Sequence, residues 1–324
     1  MTAINFRWLP ALFFILASLV SCSSGYEEDG EIDGTGIQAQ GVIDGFGSVI
    51  MNDVHYNTDN AEVFINGELA SVEALELGYY IELAGTKDAD GESGVADTVL
   101  YHDKVVGKIS RAPFTDNEKT YIEILGQRVE LDESTLYVGT SLDTLARFDI
   151  VAVSGFDIAS DAVFATRVEK KPTGYPVVVE GVVESYAASI DRLRVEGFSY
   201  YLTEAEVLGE RTALVPGAFV RIIATYIQNE SFLRATKITV TENKQLEEGV
   251  RVELEGIAQR IVSPRHFTIG NVDVDASSAT YSNGTPEQLI EDSWVLVKGA
   301  ANSEGTLLAD EVVILPQQGL HASD

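Results

Sequence analysis

Phe267-Thr268-Ile269-Gly270-Asn271-Val272-Asp273-Val274 alternates apolar and polar residues on both sides of a two-residue break. A period of two is the signature of a β-strand with one buried face. Glycine and asparagine both tolerate positive φ, so two such runs separated by Gly-Asn read as a tight hairpin. The same pattern recurs at Val49 to Tyr56 around Asn52-Asp53 and at Leu193 to Tyr200 around Glu196-Gly197. It recurs more loosely where Ile122 and Ile124 precede Gly126 and Val129 and Leu131 follow it.

Outward from each hairpin, three landmarks return in register, which marks an internal repeat. A glycine opens each unit, at Gly41, Gly107, Gly181 and Gly256, with spacings of 66, 74 and 75 residues. A leucine precedes a second alternating run, at Leu75, Leu145, Leu214 and Leu289, spaced 70, 69 and 75. An alanine three residues before an aliphatic closes each unit, at Ala96, Ala165, Ala235 and Ala309. A short strand is expected near Val63, Leu136, Val207 and Tyr281. A helical turn follows it, in segments such as Ser71 to Leu77 and Thr285 to Glu291. Strand, hairpin, strand, short helix, strand, strand is the layout of an OB-like barrel, in which closure removes sheet edges. The expectation is therefore an all-β chain of about four tandem small OB-like five-stranded β-barrels, with an open β-sandwich as the alternative. The units cover residues 40–106, 107–175, 176–246 and 251–316, and a tail covers 317–324. Breaks are placed near 104–107, 171–179 and 241–254, where Lys170-Lys171-Pro172-Thr173-Gly174 and Glu242-Asn243-Lys244-Gln245 interrupt the pattern.

The amino-terminal region has a different character. Arg7 precedes an apolar run of 13 residues from Trp8 to Val20. Crossing a bilayer takes about 20 residues, so the run reads as the core of a signal peptide covering 1–21. Leu19-Val20-Ser21-Cys22 resembles the lipobox of bacterial lipoproteins, and the resemblance implies that the Cys22 thiol carries the lipid anchor. Cys22 is the only cysteine, so no intramolecular disulfide forms. Residues 22–39 are acidic and glycine-rich, with little to bury, and read as a flexible tether. Ser23 follows the cysteine where lipoproteins of the enterobacterial type retained at the inner membrane carry Asp. The expected location is thus the cell envelope, as an outer membrane lipoprotein on its periplasmic or surface face.

The segment Gly41-Val42-Ile43-Asp44-Gly45-Phe46-Gly47-Ser48-Val49-Ile50-Met51-Asn52-Asp53-Val54-His55-Tyr56, with the later Leu77-Gly78 and Ala96, resembles the bacterial domain of unknown function 5666. The first unit carries the resemblance best. The others share the hairpin, leucine and alanine but have Ser110-Arg111-Ala112, Glu184-Ser185-Tyr186 and Gln259-Arg260-Ile261 in place of the Gly-Phe-Gly-Ser opening. The resemblance spans most of residues 40–316 and implies no activity.

Chemistry-bearing motifs are sparse. His55, His102, His266 and His321 occupy non-equivalent places, and none has i, i+4 ligand spacing. No phosphate loop or nucleophile elbow is present, because Gly45-Phe46-Gly47-Ser48 is a turn before a hairpin. Asp88-Ala89-Asp90-Gly91-Glu92-Ser93 holds spaced oxygen ligands but lacks the remaining ligands of a calcium loop, and reads as a hairpin tip. No catalytic residue, metal or cofactor is expected. Tyr79-Tyr80 and Phe198, Tyr200-Tyr201 include adjacent aromatics on strands, so one of each pair faces outward, and Tyr79 and Tyr200 are taken as ligand-facing. The chain has 22 basic and 51 acidic residues; losing the signal peptide takes its net charge from −29 to −30. A field of that sign opposes nucleic acid as a partner. The reading is a non-catalytic binding or adhesion module, held to the membrane by lipid and recognising a saccharide or an envelope protein. A structural spacer is the second reading and an unrecognised enzyme the third.

Overall fold

The computed structural model describes residues 37–316 apart from 46–48, 90, 160–161, 228–231, 242–245 and 247. Strands make up 62% of the described residues, which contain no α-helix. The fourth unit shows the common order. Its opening strand is Arg251–Ser263, the hairpin is His266–Ile269 with Val272–Asp275, and the short strand is Thr280–Ser282. A 3-10 turn at Pro286–Gln288 leads into the closing pair, Trp294–Ala301 and Leu307–Ile314. The helical turns expected from the sequence are 3-10 turns in the other units as well, at Val72–Ala74, Leu142–Thr144 and Arg211–Ala213.

Each sequence landmark has a steric cause. The first residue of each of the four hairpin turns, Asn52, Leu125, Glu196 or Gly270, has φ between 48 and 55. That residue, or the strand end beside it, folds over the opening glycine. A Cβ on Gly181 would run into Glu196, one on Gly41 into Asn52 and one on Gly256 into Ile269. The leucine that follows the 3-10 turn plugs the core, since Leu75, Leu145, Leu214 and Leu289 are all buried. The closing alanine marks a β-bulge. Register slips in the closing pair just where Gly85 meets Ala96, Gly155 meets Ala165, Ala224 meets Ala235 and Gly299 meets Ala309. A Cβ at Gly85, Gly155 or Gly299 would overlap the carbonyl oxygen of the residue before the alanine. Small residues on both strands let the backbones approach, and the bulge bends the pair.

The expectation of four small closed OB-like barrels is corrected. The strands form a β-solenoid of about seven turns, not separate closed barrels. Hydrogen bonding runs on from unit to unit in two sheets of 13 and 12 strands. The opening strand of the first unit, Ile37–Val42, pairs in parallel with that of the fourth, from Ile37 opposite Arg251 to Gln40 opposite Leu254. The opening strands of the second and third units, Val105–Asp116 and Val177–Ala187, pair antiparallel through Val105, Val106, Val178 and Val179. Alternation determines which face of a strand is buried, but each strand also has two edges of N–H and C=O groups that must pair. The sequence pattern does not say which strand meets an edge.

Strands end at Tyr101, Lys171 and Thr241, and the next ones begin at Val105, Val177 and Arg251, yet the cores follow the sheets. The second and third units share one apolar core that includes Ile109, Ile122, Val151, Leu193, Val220 and Ile238. The first and fourth units each keep their own. Two smaller clusters lie between units: Val106, Ile150, Ala152 and Val178, and the aromatic group of Phe156 and Phe164 with Tyr80 and Trp294.

Candidate functional site

Cys22 lies outside the described residues, as does His321. The assignment of Tyr79 and Tyr200 as ligand-facing is corrected, because both are core residues. Tyr79 is 9% exposed and stacks on Tyr101 with ring centroids 3.6 Å apart, and Arg167 packs over its ring. Tyr200 is fully buried in the core shared by the second and third units. Alternation does place one tyrosine of each pair outward, but it is the other one. Tyr80 and Tyr201 are half-buried, Tyr201 against Phe232 and Tyr80 in a cleft between units. Asp88 and Ser93 close the tip of the hairpin joining Tyr80–Lys87 to Ser93–Tyr101, with Asp88 N donating to Ser93 O at 2.9 Å. Among the described residues no group of three or more His, Cys, Asp or Glu side chains is arranged to hold a metal.

The cleft that takes in Tyr80 lies where all four units meet and has a volume of about 280 Å³. The first unit contributes Gln40, Tyr80 and Glu82, the second Phe156 and Asp157, the third Glu180 and Phe219, and the fourth Asn271, while Lys104 comes from the link between the first two. The recurrent bulge explains why the second unit reaches it. Register slips on both sides of the segment from Gly155 to Asp157, and Gly155, Phe156 and Asp157 all line the cleft. Bulges re-aim side chains in this way. Behind the cleft, Phe156 packs 5.1 Å from Tyr80 and 5.4 Å from Phe164, and Trp294 meets both phenylalanines edge-on.

A network of charges crosses the junction. Lys104 Nζ donates to Asp157 Oδ2 at 2.8 Å and Glu180 Oε2 at 3.4 Å, and stands 6.0 Å from the centre of the Phe219 ring. Arg221 Nη1 donates to Glu180 Oε1 at 2.6 Å and to the Asp103 carbonyl at 3.0 Å, and its Nη2 donates to Asn66 Oδ1 at 2.6 Å. Asn66 in turn bonds Asp103, which also accepts from the Tyr101 hydroxyl at 2.8 Å. Burial works against the ionised form of Glu180, but Lys104, Arg221 and His102 outweigh it and lower its pKa to about 2. Burial likewise disfavours the Lys104 ammonium, and Asp157 and Glu180 together hold its pKa above the ordinary lysine value. Lys104 therefore stays protonated at neutral pH and is no base or nucleophile there. Breaking a buried pair of this kind by removing one partner costs about 3–5 kcal/mol.

A second buried acid sits on the seam of the first and fourth units. Glu255, on the fourth unit's opening strand, accepts from the Val42 backbone N–H at 3.0 Å and from Trp294 Nε1 at 2.8 Å. Burial raises its pKa to about 7, with the nearby Asp44 and Asp53 adding to the effect and the Val42 hydrogen bond opposing it. The sequence reading passed over Lys104, Glu180, Arg221 and Glu255. Three of them did leave a signal: Glu180 follows Val177-Val178-Val179, Arg221 lies between Val220 and Ile222, and Glu255 follows Leu254. A charge inside a run of strand-forming apolar residues marks a strand whose outer face is covered.

Comparison with known proteins finds a family model that matches two of the four units. The model of the domain of unknown function 5666 matches residues 106–169 and 255–313, the second and fourth units, in keeping with tandem copies of that domain. These matches correct the reading that the first unit fits best. No curated protein matches the chain. One solved structure, described as drosophila Unr CSD456, aligns with 66% of this chain and 98% of its own at 14% identity, with a TM-score of 0.17. That superposition is too loose to equate the two folds.

Proposed function

We propose that this chain, which carries the domain of unknown function 5666 in its second and fourth units, is a non-catalytic binding module that takes its ligand in the four-unit cleft. The observation that carries the reading is the composition of that cleft. Tyr80, Phe156 and Phe219 offer ring faces, and Gln40, Asn271, Glu82 and Asp157 offer hydrogen-bonding groups around one cavity. Binding sites combine apolar walls with a few placed polar groups in this way. The proposal places the chain in the cell envelope as an outer membrane lipoprotein held by acyl chains on Cys22, a location that rests on Leu19-Val20-Ser21-Cys22. A saccharide or an envelope protein is the partner class, and the acidic field opposes nucleic acid.

The test is capture from envelope fractions by chain lacking residues 1 to 22, compared with its Asn271→Trp variant. Asn271 is exposed at the cleft mouth, so a bulky ring there fills the cavity without disturbing the core. Capture is expected for the parent and not for the variant; equal capture by both overturns the cleft as the seat. Labelling of the full-length chain with a radioactive fatty acid in cells tests the anchor: label is expected on it and not on its Cys22→Ser variant, and absence of label on the full-length chain overturns it. A structural spacer is the second reading, favoured by the strand pairing that ties first to fourth and second to third units.

A further inference from the structure

We propose that Asn283 is a site of self-modification, where the chain deamidates at an Asn-Gly step and gains an isoaspartate on the rim of the fourth unit. The chain has two Asn-Gly steps, Asn66-Gly67 and Asn283-Gly284. Both asparagines have left-handed backbone, at φ 57 and 58, a conformation that asparagine adopts more readily than most residues with a side chain. The sequence ranks the two steps equally, and the structure separates them. Asn66 is held at both polar atoms of its side chain. Its Nδ2 donates to Asp103 Oδ2 at 2.9 Å, and its Oδ1 accepts from the Asp103 backbone N–H at 2.9 Å and from Arg221 Nη2 at 2.6 Å. Asp103 and Arg221 are themselves buried. Turning the Asn66 amide toward Gly67 would strip a buried carboxylate and a buried guanidinium of a partner, which is costly away from water.

Asn283 is exposed, and neither its side-chain amide nor the Gly284 N–H bonds any described residue. The step lies outside the strand ladders, between Thr280–Ser282 and the 3-10 turn Pro286–Gln288. The fold fixes both residues of the pair. The left-handed turn favours asparagine, and a Cβ on Gly284 would meet Ile314 Cδ1 at 2.8 Å. The Gly284 nitrogen gives its proton to solvent base and attacks the side-chain carbonyl carbon of Asn283, and the absence of a Cβ on glycine leaves the approach open. A carbon–nitrogen bond forms, the bond to the side-chain nitrogen breaks, and that nitrogen leaves as ammonia after taking a proton from water. Water then opens the cyclic succinimide at either carbonyl, giving aspartate or isoaspartate. The isoaspartyl product adds a backbone atom and a negative charge just ahead of Thr285, whose N–H donates to Gln288 Oε1 at 2.8 Å in the turn before the plugging Leu289.

The experiment incubates the purified protein, folded and in urea, at neutral and at mildly alkaline pH. Peptide mass spectrometry reads the conversion of amide to acid at each asparagine, and methylation by an isoaspartyl methyltransferase reads isoaspartate. In the folded protein, conversion is expected at Asn283, faster at the higher pH, and not at Asn66. In urea the two steps are expected to convert alike, because the bonds that hold Asn66 are gone. Asn283→Gln should lose the methylation of the folded protein, and circular dichroism checks that the variant keeps its fold. Equal conversion at Asn66 and Asn283 in the folded protein overturns the proposal, as does an Asn283 that converts only in urea or not at all.

Discussion

Gly299 illustrates how much structure hangs on single atoms in this chain. It stands opposite Ala309 at the bulge of the fourth unit, and a Cβ there would overlap the Leu308 carbonyl oxygen. Gly299→Ala is therefore expected to destabilise the protein by about 1–3 kcal/mol, the usual cost of a core steric conflict. Urea denaturation measures it, and an unchanged midpoint would contradict the steric account. Glu255 gives a prediction of a different kind. Its carboxyl shifts from an ordinary value of 4.5 to about 7, mostly through burial. Between those two values the folded chain keeps a proton that the unfolded chain has released, so stability falls as pH rises through the window and levels off above about 7. The loss is on the order of 3 kcal/mol. Glu255→Gln keeps acceptor and shape without the charge, and urea midpoints at pH 5, 6, 7 and 8 should decline less steeply in the variant. Parallel curves for the two proteins would show that Glu255 is not the titrating group.

At the scale of elements, the opening strands do two jobs. Val177–Ala187 covers the shared core of the second and third units and also pairs with Val105–Asp116. Val178 faces the small cluster between those units with Val106, Ile150 and Ala152, and is 7% exposed. Val182, four residues further along the same strand, is 46% exposed. Val178→Asp should cost about 3 kcal/mol or more by burying an unpaired charge, whereas Val182→Asp should stay within about 0.5 kcal/mol. Thermal unfolding of the two variants makes the comparison, and equal losses would mean that the seam is not packed as described. The hairpins tolerate more, because their register is set locally by a turn with a left-handed first residue and needs nothing from other units.

For the whole molecule, shared sheets and cores bear on cooperativity. The second and third units have one core between them, and the first is joined to the fourth by parallel strands, by the ion pair of Lys87 with Glu253 at 2.7 Å, and by Glu255. The chain lacking residues 1 to 22 retains Trp294 as its single tryptophan, at the junction of first, second and fourth units. Its fluorescence and the far-ultraviolet circular dichroism are expected to change together in one urea transition. Two separated transitions would show that the units unfold independently. The sequence alone determined the β class, the four hairpins, and the opening glycine, plugging leucine and closing alanine, because period, turn chemistry and close backbone approach are local properties. It did not reveal that the first unit neighbours the fourth, that Tyr79 and Tyr200 point inward while Tyr80 lines a cleft, or that Lys104, Glu180, Arg221 and Glu255 meet across units. Those features depend on which strand edges pair over long sequence separations, and alternation within a strand carries no information about its partner. Only the tertiary structure, by completing the hydrogen bonds of each opening strand with those of another unit, decided where the four-unit cleft would form.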